Sequence, residues 1–515
     1  MRFEELSPRS SLDFSKRKHS AVWFVTLLAL GFLFYYPGID VPYYADDFYF
    51  LQEVSCSNVV GQFLGQGRSH SFYRPVEAAI LACVQANFDL NTIPIHVVTI
   101  VLHVALSYLL FVAILEIGLP LSHAILGSFF LLFSQANASA ILGNDTLSQV
   151  SGTFFGCLSL FLLYRFLSGE LSKGTNREVR VRLMTYVLSV LAFTIALFSK
   201  ESSVSFFPLL FGVMLLKGYA LNATGKQFHI RKALLFLLPY FTILVAYLTV
   251  RNLVGTLPPR LGPGPYNFHI GLSILKNAAN LLLAANIPVS TVTTVTNLRS
   301  GRLDVVALIL FLTILFIGFV GYGAWHSRRS GLLLTLGAFG IVAMFPMVML
   351  NHISELYAYN LMPFVATIFG IGVGTLVQRA SRGWRRVTIA AVLLLLTGHV
   401  VAIRQKASMM RENGIRATVL LEKVRPYAEK TPAGGALMLV NSETQEPEYS
   451  VFLTRGFNVL AASRVEQVAR RDDITVKIIE ESELRRPPPY ASNTLFLYLT
   501  GDGLGVTTDA PGTAR

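Results

Sequence analysis

Ile95-His96-Val97-Val98-Thr99-Ile100-Val101-Leu102-His103-Val104-Ala105-Leu106-Ser107-Tyr108-Leu109-Leu110-Phe111-Val112-Ala113-Ile114-Leu115 is a run without a single Lys, Arg, Asp or Glu. About 20 such residues, wound as a helix, cross the hydrocarbon core of a bilayer. Comparable runs recur at 20–38, 123–141, 147–167, 183–199, 203–217, 233–250, 304–324, 331–350, 356–378 and 387–404. The sequence therefore predicts a mainly α, polytopic transmembrane bundle of about 11 spans. Composition agrees: 53% of the 515 residues are hydrophobic and 14% charged, with mean hydropathy +0.54. Soluble domains carry about 25% charged residues, so soluble multidomain readings fail.

The net charge of +13 is scattered through short loops instead of forming one basic face. That excludes nucleic acid as a partner and points to topology signals and contacts with membrane lipids. With residues 1–19 as a cytoplasmic tail, the same side receives Lys173, Arg177, Arg180 and Arg182, then Lys217, Lys226, Arg231 and Lys232. Arg328, Arg329, Arg382, Arg385 and Arg386 follow the same parity, as the positive-inside rule requires. The first run, preceded by Lys16, Arg17 and Lys18 and lacking a small-residue cleavage site, reads as a retained signal-anchor. Three cysteines, Cys56, Cys83 and Cys157, supply neither a disulfide framework nor metal-ligand spacing.

Within the membrane domain, 20–404, two loops on the outer side are long: 39–94 and 251–303. The first opens with Tyr43-Tyr44-Ala45-Asp46-Asp47-Phe48-Tyr49. Adjacent carboxylates at a membrane surface repel each other, and desolvation raises at least one pKa, which suits a general base or half of a metal site; solvated helix-capping charges are the plain alternative. Phe50–Phe63 and Val76–Phe88 read as interfacial amphipathic helices too short to span. Between them Arg74 either pairs with a phosphate or snorkels beside a helix end. His96 and His103 are two helical turns apart on one face. Asp145 reads either as a site residue or as an N-cap. Lys200 and Glu201 sit with almost no loop between two spans, as an ion pair or a phosphate contact. Arg251 and Arg260 are outer-side cations of the second long loop, and Glu355 and Tyr359 share a helix face one turn apart. Asp46, Asp47, Arg74, Asp145, Lys200, Glu201 and Glu355 all fall on the outer edge under one charge-derived topology. Residues 405–515 change character, with a helical stretch near 407–424 and strand-like runs at 435–440, 449–453, 474–479 and 494–499. They predict a small external α/β domain.

The order of these motifs resembles the GT-C superfamily of integral-membrane glycosyltransferases, in particular the protein O-mannosyltransferase and aminoarabinose transferase branch. The elements that carry it are Asp46-Asp47 after the first span, Tyr73-Arg74-Pro75, His96…His103, Ser199-Lys200-Glu201 and Ser354-Glu355-Leu356-Tyr357-Ala358-Tyr359. O-Mannosyltransferase-type relatives tend to read Gly-Arg-x-Asp where this chain has Gly143-Asn144-Asp145, and Glu-Arg-Tyr where it has Glu355-Leu356-Tyr357. The resemblance implies transfer of a monosaccharide from a polyprenyl-phosphate donor to a hydroxyl of a lipid, protein or polysaccharide acceptor. Asp46 or Asp47 is then the catalytic base. Arg74, His103, Asp145, Lys200, Glu201, Arg251, Arg260, Glu355 and Tyr359 are expected to bind the lipid phosphate or sugar. No cofactor and no metal ligand is expected. The expected setting is a bacterial cytoplasmic membrane, with the site facing outward. A transporter or lipid-linked sugar flippase is the competing reading, but it predicts mid-bilayer charges and an internal repeat, whereas most of these charges lie at the outer edge and the sequence carries no repeat.

Overall fold

The computed structural model describes residues 14–48, 59–64, 72–169, 176–223, 230–256, 261–262, 267–441, 456–484, 493–500 and 505–507. The apolar runs fold as helices in the expected order: α1 (Phe14–Tyr35), α2 (Val59–Phe63), α3 (Pro75–Phe88), α4 (Ile93–Glu116), α5 (Leu121–Phe133), α6 (Ala138–Leu142), α7 (Leu147–Gly169), α8 (Asn176–Ser199), α9 (Phe206–Ala223), α10 (Ile230–Leu253), α11 (Ser273–Asn286), α12 (Thr291–Arg299), α13 (Leu303–His326), α14 (Ser330–Met344), α15 (Met362–Arg379) and α16 (Arg382–Lys430). Among the described residues eight helices are long and apolar enough to cross a membrane, or up to ten if each bent pair counts once. The chain is an integral, multi-pass membrane protein.

Eleven runs were expected, and the differences have local causes. The run at 123–141 breaks between α5 and α6 by 45°, where Ser134 turns extended (φ −64°, ψ 126°). The carbonyls released there are satisfied internally. Asn137 Nδ2 donates to Leu131 O at 2.7 Å and the Tyr35 hydroxyl to Leu132 O at 3.0 Å, as a bundle interior without water demands. The run at 331–350 gives only 15 helical residues before Phe345-Pro346. The 251–303 loop is not plain loop: α11 and α12 form a helical pair bent by 118°.

Close packing rests on glycine. A Cβ built on Gly370 of α15 would lie 2.4 Å from His123 O of α5, and one on Gly372 would lie 2.4 Å from Val320 O of α13. Small residues let backbones approach this closely where lipid provides no hydrophobic drive.

The helical stretch near 407–424 is not separate from the last span. α16 runs unbroken for 49 residues, about 74 Å at 1.5 Å per residue. Falling hydropathy after Arg404 marks the exit from an apolar medium and not the end of the helix, which runs past Pro426 to its cap at Thr431. Beyond it lie β1 (Ala436–Asn441), α17 (Ala462–Ala469), β2 (Thr475–Glu480), α18 (Glu481–Leu484), β3 (Thr494–Thr500) and β4 (Gly505–Thr507). The sheet order is β2-β1-β3-β4, with β1 parallel to β2 and β3, and β4 antiparallel to β3. The small C-terminal α/β unit is therefore present. Of its expected strands, 449–453 lies outside the described residues. Buried side chains of this sheet, Leu437, Leu439 and Leu497, belong to the same apolar core as α16 and the bundle.

Candidate active site

The turn after α1 is anchored by its apolar neighbours: Tyr43, Tyr44 and Phe48 are all buried. They fix the two carboxylates differently, for Asp46 is exposed and Asp47 buried. Asp47 Oδ2 accepts the Tyr44 backbone N–H at 3.0 Å and the Asn144 Nδ2 at 2.9 Å. Oδ1 accepts no hydrogen bond among the described residues. Burial pushes the Asp47 carboxyl well above the usual aspartate range, and Asp145 adds to the shift, while the Asn144 and Tyr44 bonds oppose it. Asp145 is itself raised by burial, against the pull of Lys200 and Arg74.

Beside this pair lies a cluster of charges drawn from three stretches of the chain. The Arg74 fork, just before α3, grips Glu201 in two parallel bonds, Nε to Oε2 at 2.9 Å and Nη2 to Oε1 at 2.8 Å. Burial opposes the Glu201 charge, but Arg74 and then Lys200 hold its carboxyl far below the usual range. Lys200 is 4% exposed; its ammonium lies 3.9 Å from Glu201 and makes no direct hydrogen bond among the described residues. Burial and the neighbouring Arg74 bring its pKa down to about 8. Arg251, at the end of α10, contributes to the field on Glu201. Asp46, Asp47, Arg74, Asp145, Lys200, Glu201 and Arg251 thus gather at one end of the bundle.

Glu77 also belongs to this cluster, although sequence reading did not single it out. Its Oε1 accepts the Ser148 backbone N–H at 2.8 Å, at the start of α7. Its Oε2 lies 3.7 Å from Arg74 Nη1 and has no hydrogen bond among the described residues. Burial raises this carboxyl to about 7 despite Arg74 and Lys200. The available signal was a lone acid three residues after Arg74 on an otherwise apolar helix.

The remaining candidates lie apart. His103 Nδ1 and the Tyr359 hydroxyl are 2.8 Å apart, fully buried, with Tyr35 edge-on to the imidazole. Glu355 pairs instead with Lys406 of α16, whose ammonium also donates to Gln135 O at 3.0 Å. Neither Lys406 nor Gln135 was anticipated, because their contact depends on the Ser134 break and on α16 continuing past 404. Arg260 lies outside the described residues. Among the described residues no three His, Cys, Asp or Glu side chains gather as a metal site would need.

No protein-family model and no curated protein sequence matches the chain. Solved structures do. ArnT from Cupriavidus metallidurans bound to undecaprenyl phosphate superposes with TM-score 0.50 at 10% identity, covering 93% of each chain. The apo state of the same ArnT gives 0.52, again at 10% identity and 93% of each chain. At that identity the likeness is one of fold. The chain has the GT-C fold that its motif order leads one to expect.

Proposed function

We propose that the chain is a membrane glycosyltransferase that moves a monosaccharide from a polyprenyl-phosphate carrier to an acceptor hydroxyl. The observation that carries this reading is the meeting of a buried, raised-pKa carboxylate, Asp47, through Asp145 with a buried ammonium, Lys200, that has no direct hydrogen bond among the described residues. The fold likeness to a protein that binds undecaprenyl phosphate supports the choice of carrier.

The acceptor oxygen attacks the anomeric carbon, and the bond from that carbon to the phosphate oxygen breaks. The phosphate leaves with the electron pair, and the acceptor proton passes to Asp47 Oδ1. Two hydrogen bonds on Oδ2 hold the carboxylate with that oxygen directed to its task. A carboxyl raised by burial is a stronger base than a solvated one, and proton transfer by a well-placed base is worth about 10²–10⁴-fold. Lys200 stabilises the phosphate charge as it develops, and Arg251 supplements it. Arg74 is committed to Glu201, so its part is to fix the acid that keeps Lys200 charged. Asp46, exposed, takes no proton. The acceptor is a lipid, protein or polysaccharide hydroxyl, reached on the outward face of a bacterial cytoplasmic membrane.

The test is transfer of radiolabelled sugar from a panel of polyprenyl-phosphate monosaccharides by purified protein with membrane acceptors. Asp47→Asn is expected to lose about 10²–10⁴-fold in rate, and Asp46→Asn to stay within about threefold. Equal activity of wild type and Asp47→Asn would remove Asp47 from the mechanism.

A further inference from the structure

The segment from Asp40 to Phe48 touches the C-terminal third of the chain at four points. Asp40 Oδ2 accepts from Arg411 Nη2 at 2.8 Å. Pro42 lies against Gly414, where a Cβ would stand 2.6 Å from Pro42 O. The Ala45 N–H donates to Val459 O at 2.8 Å. Arg464 stands over the Phe48 ring, 5.9 Å from its centroid. The third contact falls on a strained residue: Ala45 has φ +49°, a left-handed conformation that side chains with a Cβ disfavour. Strain of this kind persists only where the surroundings over-determine it.

The surroundings are built for that. Val459 ends a short turn, Gly456–Val459, that is tied to the sheet by Asn441 at the end of β1. Asn441 Oδ1 accepts the Phe457 N–H at 2.8 Å, and its Nδ2 donates to Asn458 Oδ1 at 3.0 Å and to Glu480 Oε1 at 3.2 Å. Phe457 and Val459 are buried in the core that also takes Phe48. A rigid sheet therefore presents one carbonyl to the one backbone amide at which the aspartate turn is strained.

We propose that the C-terminal α/β unit is a clamp that holds the Ala45 turn left-handed and so keeps Asp47 buried and aimed, with Asn441 and Arg464 as positioning residues. The proposal rests on the glycosyltransferase reading for its catalytic half, but the clamp itself is measurable without transfer. Without the clamp, Ala45 relaxes to negative φ, the turn opens, and Asp47 becomes hydrated.

The experiment compares wild type, Asn441→Ala, Arg464→Ala and each combined with Ala45→Gly, in the full-length protein. Hydrogen exchange at the peptide containing Ala45 is read first, and it is expected to quicken in both single variants. Transfer is read second: kcat falls by about tenfold in Asn441→Ala while the donor KM holds within about threefold. The acid limb of the rate profile moves to lower pH, because a hydrated carboxyl returns toward its ordinary range. Ala45→Gly restores most of the lost kcat, since glycine accepts φ +49° without support; general damage to the sheet would not be rescued at that position. Should Asn441→Ala fail to fold, Arg464→Ala, half-buried, carries the same comparison at smaller amplitude. Unchanged exchange at Ala45 in both variants overturns the clamp. Faster exchange with unchanged kcat and acid limb overturns its catalytic part. Faster exchange in a protein that transfers no sugar from any donor upholds the clamp and refutes the glycosyltransferase reading instead.

Discussion

Replacing Lys200 offers the sharpest test of how the leaving phosphate is stabilised. Lys200 is 4% exposed and its ammonium has no direct hydrogen bond among the described residues, so little water screens it from a bound anion. Removing one preorganised cationic or hydrogen-bond donor from such a site costs about 10²–10³-fold in rate, or about 3–4 kcal/mol. That loss is expected for Lys200→Met. The variant should fold, because Glu201 keeps its bidentate partner Arg74. The pH dependence adds a second constraint. With a pKa of about 8, Lys200 is about nine-tenths charged at pH 7 and about one-tenth charged at pH 9. The charged form is the active one, so wild-type transfer should decline as pH rises through 8. Lys200→Arg keeps a charge that does not titrate below about pH 12. It should therefore lose the alkaline limb, even if the wider guanidinium slows transfer. Initial rates of labelled-sugar transfer between pH 5 and 10 measure all three proteins. Lys200→Met within threefold of wild type, or an alkaline limb near 8 that survives in Lys200→Arg, would refute the reasoning.

Glu77 is expected to make stability depend on pH. Its folded-state pKa is raised from 4.5 to about 7, so its stabilising contribution is full below 4.5 and is lost as pH rises through 7. Relative to Glu77→Gln, wild type should lose about 3 kcal/mol across that window, read as a difference in apparent unfolding temperature that grows with pH; a constant difference would contradict the assignment. Glu201→Gln takes the bidentate carboxylate from the buried Arg74 charge and should destabilise by about 3 kcal/mol, whereas Arg74→Met combined with Glu201→Gln should cost less than the sum of the single changes. Gly370→Leu places side-chain atoms where His123 O and Gly127 N already stand, and little monodisperse protein should be recovered in detergent.

The sequence made the fold class plain because spans announce themselves by length and hydropathy. What it concealed was where helices bend or continue. Ser134 is an ordinary serine in an apolar run, and its break depends on Tyr35 and Asn137 capturing the freed carbonyls. The continuation of α16 hid Lys406, whose partner Glu355 lies 51 positions away. For the site, charge-derived parity grouped Asp47, Arg74, Asp145, Lys200 and Glu201 at one end of the bundle, where their hydrogen bonds and fields now connect them. It also put Glu355 there, but not the fact that Lys406 takes it into a separate pair. Which of two adjacent aspartates is buried is decided by a turn of positive φ, and no periodicity encodes that.

The unbroken α16 has a consequence for how such a chain can diverge. Lys406, Met410, Gly414 and Ala417 lie on one buried face, so the bundle, the aspartate turn and the core of the sheet are all read off a single rod. One inserted residue between Lys406 and Gly414 would rotate everything beyond it by about 100°, carrying Gly414 away from Pro42 while leaving Lys406 on Glu355. Length changes in this helix are therefore tolerated only in steps close to whole turns. Point changes on its outer face are nearly free by comparison. Drift in this protein should thus appear as substitutions along the rod, and as length changes within it only in steps close to whole turns.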